Sequence, residues 1–220
     1  MINRAHRCAK ERPLTLSERL IRDARTLGVE LDAAGAASLL ALTSALAEWN
    51  QSHNLTAITA PEAMLTHHLL DSLAIQPDLV GSRIADVGTG AGFPGLPLAL
   101  VNPQRHFTLI DSNNKKIRFV THAVALMQLE NVTAIHARSE DLKPPVPFDT
   151  VVARALAPLP RLLPWVAPLT GRDTRVLAMK GRWPEAELRE LPRSWRLTGS
   201  RELKVPGLDA ARCVLVLQRR

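Results

Sequence analysis

The spacing of apolar residues divides the chain into two parts. Before residue 80, leucine and alanine recur at intervals of three and four positions, which is the pattern of amphipathic helices. This pattern predicts helices within residues 13–48, the second of them over Ala34–Trp49, and a further helix over Glu62–Ala74. A polar loop is predicted over Trp49–Thr56. We therefore expect residues 1–80 to form an N-terminal helical extension.

From Ser82 onward, short β-branched apolar runs alternate with helical stretches. Strands are predicted at Arg83–Val87, His106–Ile110, Val132–His136, Thr150–Ala153, Arg175–Met179, Arg196–Lys204 and Arg212–Leu217. Helices are predicted at Leu96–Val101, Lys115–Leu126, Leu159–Ala167 and Glu185–Leu191. This alternation predicts an α/β fold, in which a doubly wound and mainly parallel seven-stranded sheet carries helices on both faces. No long helix separates the last two strands, so we expect them to form an antiparallel end of the sheet.

A glycine-rich stretch, Asp86–Gly95, follows the first predicted strand and opens a predicted helix. Glycine permits a tight turn and lets the backbone approach a ligand closely. The start of the next helix adds N–H donors and the positive end of its dipole. Asp111 stands at the end of the second predicted strand, where doubly wound folds place a carboxylate on ribose hydroxyls. The stretch therefore predicts a nucleoside-containing ligand at the carboxyl ends of the strands.

Two residues of this stretch favour S-adenosylmethionine over a dinucleotide. Pro94 stands at the start of the helix and lacks the N–H that a pyrophosphate would use, whereas S-adenosylmethionine has no phosphate to bind. Asp86 precedes the first glycine by two positions, and we expect its carboxylate to meet the amino group of a methionine moiety. A nicotinamide cofactor, or a glycine turn that binds nothing, remains an alternative at this point.

The charge of the chain is concentrated at its two ends. The net charge is +7, from 28 basic and 21 acidic residues; residues 1–25 contribute +4 and residues 201–220 contribute +3, so the intervening chain is neutral. Arginine supplies 22 of the basic residues, and its planar fork binds phosphate and stacks on bases. This bias favours an RNA partner, although the codon usage of a GC-rich genome would explain it equally well.

Cysteine and histidine give no sign of a metal site. Cys8 and Cys213 match neither a metal-ligand spacing nor a paired redox motif, which indicates reduced thiols. His67 and His68 diverge by about 100° on a helix, and no cysteine or carboxylate set completes a site around them. No apolar run approaches the roughly 18 residues of a membrane span, and the N-terminus lacks the apolar stretch of a secretion signal. We expect a cytoplasmic protein that contacts no membrane, binds no metal and is a monomer.

Several short motifs follow one another in a fixed order along residues 39–217. They are Trp49-Asn50, Asn54-Leu55-Thr56, the run from His68 to Ser72, Asp86–Gly95, Phe107–Ser112, Arg138-Ser139-Glu140, Phe148-Asp149, Arg154-Ala155, Lys180-Gly181 and Val205-Pro206. Together they resemble the ribosomal small subunit methyltransferase G family, also called glucose-inhibited division protein B. The resemblance implies a Rossmann-like, S-adenosylmethionine-binding methyltransferase domain over residues 81–220. It also implies methylation of guanine N7 in 16S ribosomal RNA, free or in the small ribosomal subunit, with residues 1–80 contributing to RNA binding.

The resemblance also assigns roles to individual residues. It implies that Gly88 and Phe93 fall in the cofactor loop and that Ser139 and Glu140 lie near the adenine. Arg154 is the candidate catalytic residue, holding the cofactor or the target guanine. With the residues reasoned above, the expected cofactor site comprises Asp86, Gly88, Gly90, Phe93, Asp111, Ser139, Glu140 and Arg154.

Two further residues are candidates for target RNA binding. Asn54 follows the predicted helix at Trp49, and Lys180 ends the fifth predicted strand. Ala153 departs from the family, in which we expect serine before the arginine, so any role of that serine is in doubt here. Three other functions stay open: an RNA-binding ribosome assembly factor without turnover, an NAD-dependent oxidoreductase, and a small-molecule methyltransferase, which the basic ends and the family resemblance disfavour.

Overall fold

The computed structural model describes residues 12–220. Cys8 and the basic residues before position 12 lie outside this range, and with them part of the predicted charge pattern. The helical elements before the sheet are α1 (Leu16–Thr26), α2 (Ala33–His53), α3 (Pro61–Met64), a π-helix (Leu65–Leu70), α4 (Asp71–Leu73) and a 3-10 turn (Gln76–Asp78). Helix α1 begins at a capping box, in which the Thr15 hydroxyl accepts from the Glu18 N–H and the Glu18 carboxylate accepts from the Thr15 N–H.

The predicted seven-stranded sheet is confirmed. Its strands are β1 (Arg83–Val87), β2 (His106–Asp111), β3 (Val132–His136), β4 (Phe148–Arg154), β5 (Thr170–Lys180), β6 (Trp195–Glu202) and β7 (Cys213–Arg219). The helices between them are α5 (Gly95–Leu100), α6 (Asn114–Leu126), α7 (Leu159–Val166) and α8 (Glu185–Arg189), with 3-10 turns at Ser139–Asp141 and Ala167–Leu169. The spatial order is β3-β2-β1-β4-β5-β7-β6. Strands β1 to β5 are parallel, and the chain reverses its direction of winding between β1 and β4.

The last two strands are antiparallel as expected, but β7 lies inside the sheet, between β5 and β6. Its run from Cys213 to Leu217 is apolar and largely buried, whereas β6 is mostly exposed after Trp195. An apolar run suits a strand covered on both faces, and a polar strand suits an edge. The composition of the two strands therefore explains their order.

Two hydrophobic cores lie on opposite faces of the sheet. Along β1, Ile84 joins the first core, while Ala85 and Val87 join the second, because successive side chains point to opposite faces. The first core combines residues of α1, α2 and the 61–73 helical segment with α5 and α6. The second core lies beneath α7. Residues 12–80 thus share one core with the sheet.

Two local predictions need correction. The polar loop expected over Trp49–Thr56 is wrong in its first part, because α2 continues to His53 and ends at Asn54, whose φ of 49° gives a left-handed C-cap. The helix expected over Glu62–Ala74 contains the six-residue π-helix. Such segments are rare and occur often at functional sites; this one carries His67 and His68.

Candidate functional site

A cavity of about 890 Å³ lies at the carboxyl ends of the parallel strands. Residues at or just after the ends of β1, β2, β3, β4 and β5 line it, together with the π-helix and the segment after α2. The reversal of winding between β1 and β4 lies beneath it. Open α/β sheets bind ligands in this position, because the loops on either side of the reversal diverge and leave a crevice.

The glycine-rich loop between β1 and α5, residues 88–94, lines the cavity and is called the glycine loop below. The Gly88 N–H donates to the Ile110 carbonyl oxygen at 2.8 Å, which ties the turn to β2. Gly88 has a φ of +67°, which glycine adopts without strain, and a Cβ there would lie 2.4 Å from Leu156 Cδ1, so the Leu156 side chain would have to move. Gly90 also has a positive φ, of +61°, but its missing side chain leaves open space. Gly88 is therefore needed for packing, whereas Gly90 keeps the backbone accessible.

Asp111 connects this loop to the end of β2. One of its carboxylate oxygens accepts from the Gly90 N–H at 3.0 Å, and the other accepts from the Asn113 N–H at 2.8 Å. The Lys116 ammonium lies 3.7 Å from the carboxylate. Asp111 is buried and lines the cavity beside Gly90, in the position that the sequence predicts for a ribose-binding carboxylate.

Asp86 does not lie where the sequence analysis expects it. Its side chain is buried but does not line the cavity. One oxygen accepts from the Thr89 hydroxyl at 2.6 Å and from the Gly95 N–H at 2.8 Å, while the other has no partner. Burial raises the pKa of this carboxyl to about 6, although both hydrogen bonds oppose the rise. Asp86 thus holds the glycine loop to the start of α5.

The expected adenine pair lies at another part of the cavity wall. Ser139 and Glu140 form the 3-10 turn after β3, and the Ser139 hydroxyl donates to the Glu140 carboxylate at 3.3 Å. Helix α7 packs against this turn and contributes Trp165 to the cavity lining. Sequence reasoning missed Trp165, because nothing in its leucine-rich helix distinguishes it from a core residue.

Arg154 is held from two directions at the end of β4. Its guanidinium donates to the Asp71 carboxylate at 2.9 Å and to the His67 carbonyl oxygen at 3.0 Å. Asp71 also accepts from Arg212 at 3.2 Å, so one buried carboxylate bridges two arginines. Arg212 lines the cavity as well. Sequence reasoning missed Arg212, which is separated from Asp71 by more than half of the chain.

An aromatic stack borders the arginine pair. The rings of His68 and Phe93 are stacked with centroids 4.8 Å apart, and the Arg154 guanidinium lies 5.7 Å from the Phe93 centroid. The His68 ring also makes a 3.0 Å hydrogen bond to the Thr56 hydroxyl. Burial and the nearby charge of Arg154 lower the pKa of His68 to about 4. This imidazole is therefore neutral at physiological pH.

The two predicted target-binding residues have different environments. Lys180 lines the cavity, but its ammonium donates to the Glu187 carboxylate at 2.8 Å and to the Ala157 carbonyl oxygen at 3.0 Å. Asn54 is exposed and caps α2, and it does not line the cavity, whereas Leu55 and Thr56 after it do. Lys180 is thus engaged within the protein, and Asn54 lies just outside the cavity.

Within residues 12–220, no group of three histidine, cysteine or acidic side chains is arranged to hold a metal ion. Over the same range, no helix is long and apolar enough to cross a membrane.

Two solved methyltransferase structures have a similar fold. Magnesium protoporphyrin IX methyltransferase (ChlM) from Synechocystis PCC 6803, with bound SAM, has a TM-score of 0.58 at 13% identity, covering 80% of this chain and 97% of that chain. TrmN from Thermus thermophilus has a TM-score of 0.55 at 19% identity, covering 71% of this chain and 53% of that chain. The fold is therefore the Rossmann-like fold of S-adenosylmethionine-dependent methyltransferases.

Sequence comparison narrows this class to one family. The family described as rRNA small subunit methyltransferase G matches residues 36–216. The ribosomal RNA small subunit methyltransferase G of Pseudomonas paraeruginosa is 44% identical over 204 residues, which is 92% of this chain and 95% of that protein. The enzyme of the same name from Aeromonas salmonicida is 45% identical over 177 residues, 80% of this chain and 85% of that protein. This chain belongs to the rRNA small subunit methyltransferase G family, which confirms the resemblance inferred from its motifs.

Proposed function

We propose that this protein transfers the methyl group of S-adenosylmethionine to N7 of a guanine in 16S ribosomal RNA. The observation that carries the proposal is that the cavity at the carboxyl ends of the strands contains both a cofactor-type region and a cationic region. The first contains the glycine loop, Asp111 and Glu140; the second contains Arg154 and Arg212. An enzyme that transfers a methyl group from a nucleoside cofactor to an RNA base has to bind both of them in the same cavity, so it needs both regions.

The residues of the first region fit S-adenosylmethionine. A Cβ on Gly90 would meet only a carbonyl oxygen at 4.0 Å, so the loop leaves room for a ligand against its backbone. The Asp111 oxygens each keep a lone pair for a ribose hydroxyl after bonding to the backbone. Ser139 and Glu140 would hold the adenine, with Trp165 as a further apolar wall. When bound, S-adenosylmethionine supplies an electrophilic methyl group on its sulfonium.

Methylation of guanine N7 needs no general base, because N7 of neutral guanine has a lone pair and no proton. The protein therefore has to bind, orient and exclude water, and orientation can contribute roughly 7–11 kcal/mol to lowering a barrier. Arg154 is well suited to orientation, because Asp71 and the His67 carbonyl fix its guanidinium. Its remaining N–H groups can donate to guanine O6 and leave N7 free for the reaction.

The charge of the cavity lining favours an RNA substrate. The basic residues that line it are Lys116, Arg138, Arg154, Lys180 and Arg212, and the acidic ones are Asp71, Asp111 and Glu140. The lining therefore carries more basic than acidic residues, and this excess of positive charge attracts the phosphate groups of RNA. Residues 1–80 extend the binding surface through Asn54 and the segment after it, which reaches the cavity at Leu55 and Thr56. We infer a monomer that acts in the cytoplasm, where the small ribosomal subunit is assembled.

A methyl-transfer assay tests this function. The protein is incubated with labelled S-adenosylmethionine and with 16S RNA, free or in particles, from cells that lack this methyltransferase. We expect label in one guanine, released by chemistry specific for N7-methylguanine. Label on another atom would contradict the proposed chemistry. Cofactor binding without any transfer would favour the alternative of an assembly factor without turnover.

Two variants assign the roles within the site. Asp111→Asn keeps the shape of the side chain and should weaken the binding of S-adenosylmethionine in calorimetry. Arg154→Lys keeps the charge but loses the planar fork, so it should lower kcat while S-adenosylmethionine still binds. Arg189→Ala is the control, because Arg189 lies in an exposed pair with Glu185 and does not line the cavity. Full activity of Arg154→Lys would remove Arg154 from the proposed role.

A further inference from the structure

The segment between β5 and α8 carries an exposed tryptophan at the edge of the cavity. We name residues 181–184 the rim loop. Gly181 lines the cavity, and Trp183 follows it two residues later with 51% of its surface exposed. The other exposed large hydrophobic side chains of residues 12–220 are aliphatic: Leu14, Leu126, Val146 and Leu197. Trp183 is thus the only aromatic residue among the exposed large hydrophobic residues in this part of the chain.

The base of the rim loop is fixed rather than loose. Glu187, on α8, accepts from the Lys180 ammonium at 2.8 Å and from the Leu159 N–H at 2.7 Å. Lys180 also reaches the Ala157 carbonyl oxygen. These bonds tie the end of β5 and the start of α8 to the start of α7, on either side of the loop. Trp183 is therefore presented on an anchored support next to the cavity.

The charges around Trp183 select the kind of partner. Arg182 is exposed, and within residues 12–220 its side chain makes neither an ion pair nor a hydrogen bond. A Cβ on Gly181 would lie 3.8 Å from the Arg212 guanidinium, so Arg212 borders the same loop. An exposed indole on a loop with one free arginine, bordered by a second arginine at Gly181, suits single-stranded nucleic acid, since bases stack on aromatic rings while arginine binds the phosphates.

A stacking contact with Trp183 would compensate the RNA for the stacking that is lost when the target guanine leaves its place in the strand. A base that enters the cavity leaves its neighbour in the RNA without a stacking partner. We propose that Trp183 stacks on the nucleotide next to the target guanine and that Arg182 binds the adjoining phosphate. This inference rests on the proposed function for the identity of the base in the cavity. It adds a second binding position, which holds the flanking nucleotide of the RNA.

Kinetics with free 16S RNA tests the stacking contact. Trp183→Leu keeps an apolar side chain but removes the π-face, and Trp183→Phe keeps a smaller π-face. We expect Trp183→Leu to raise the KM for RNA by about 5-fold to 100-fold, with an unchanged affinity for S-adenosylmethionine. Trp183→Phe should retain most of the affinity for RNA. Leu126→Ala, which also removes an exposed hydrophobic side chain, should leave all values unchanged.

Tryptophan fluorescence provides a second readout that does not depend on turnover. Free 16S RNA should quench the wild-type protein more than the Trp183→Phe variant, because a base stacked on Trp183 quenches it. Equal quenching in the two proteins, or an unchanged KM for RNA in Trp183→Leu, would overturn the proposal. If Trp183→Leu raised the KM only for ribosomal particles and not for free RNA, Trp183 would contact a ribosomal protein instead of the RNA, and the proposal would be overturned as well. If the wild-type protein transfers no methyl group, the proposed function fails, and the fluorescence comparison still decides whether RNA stacks on Trp183.

Discussion

Among the residues of the site, Asp71 is the one whose substitution we expect to destabilise the protein most, because its single carboxylate accepts hydrogen bonds from two arginines. Its side chain is 4% exposed and accepts from Arg154 at 2.9 Å and from Arg212 at 3.2 Å. Hydrogen bonds to charged groups contribute about 1.5–3 kcal/mol each, and removing one partner of a buried ion pair costs about 3–5 kcal/mol. The two arginine side chains are 19% and 24% exposed, so water compensates partly. We expect Asp71→Asn to lower the free energy of unfolding by about 3 kcal/mol.

Urea unfolding measures this change, and a double-mutant cycle assigns it. Asp71→Asn should lower the midpoint without changing the slope. Combined with Arg154→Met, it should show a coupling energy of about 1–3 kcal/mol. Glu185→Gln is the matched control, because it removes a carboxylate from an exposed pair with Arg189 and should cost less than about 1 kcal/mol. A loss below about 1 kcal/mol for Asp71→Asn, or additive effects in the cycle, would refute the reasoning.

Three further predictions concern the glycine loop and two buried titratable groups. Gly88→Ala should destabilise the protein more than Gly90→Ala, because its Cβ would meet Leu156 at 2.4 Å whereas that of Gly90 enters open space; urea unfolding checks the order. Gly90→Ala should nevertheless weaken S-adenosylmethionine binding in calorimetry, and full affinity would contradict its place against the ligand. Burial raises the pKa of Asp86 from 3.8 to about 6, so its contribution to stability is lost as the pH rises through about 6. Burial lowers the pKa of His68 from 6.5 to about 4, so its contribution is lost as the pH falls through about 4. Between about pH 4 and pH 6, the free energy of unfolding should rise more steeply with pH in Asp86→Asn than in the wild type, and less steeply in His68→Gln. Each substitution should change the total rise by about 3 kcal/mol. A free energy of unfolding that varies with pH as in the wild type would contradict both predictions.

Strong periodicity made most of the fold predictable. The bounds predicted for β1 and β3 match the structure, because glycine, proline or polar residues flank short apolar runs. Strand β5 begins at Thr170, five residues before its predicted start at Arg175. The stretch between contains glycine and polar residues and joins the sheet because Thr174 accepts from the Gly171 N–H and donates to the Phe148 carbonyl oxygen. Side-chain bonds of this kind leave no periodic trace in a sequence.

The glycine loop and Asp111 were predictable because local chain geometry determines them. A turn after one strand and a carboxylate at the end of its neighbour must meet when the two strands are parallel and adjacent. The arginine pair was not predictable in the same way. Arg154 comes from β4, Arg212 from the residue just before β7, and Asp71 from the helical segment before the sheet. Only the insertion of β7 beside β5 brings Arg212 to this edge.

The three buried aspartates of the site show why residue type and motif position do not determine a role. Asp86 is next to the last residue of β1 and Asp111 is the last residue of β2; they accept from the backbone N–H groups of Gly95 and Gly90, yet only Asp111 lines the cavity. Asp86 is turned beneath the loop, where a Cβ on Gly95 would lie 2.7 Å from its oxygen, so it fixes the loop from the core side. Asp71 accepts from the N–H groups of two arginine cations instead of from backbone N–H groups. The donors that surround each carboxylate therefore decide whether it supports the loop, faces the cofactor or orients the arginines, and those donors come from elements that the topology brings together.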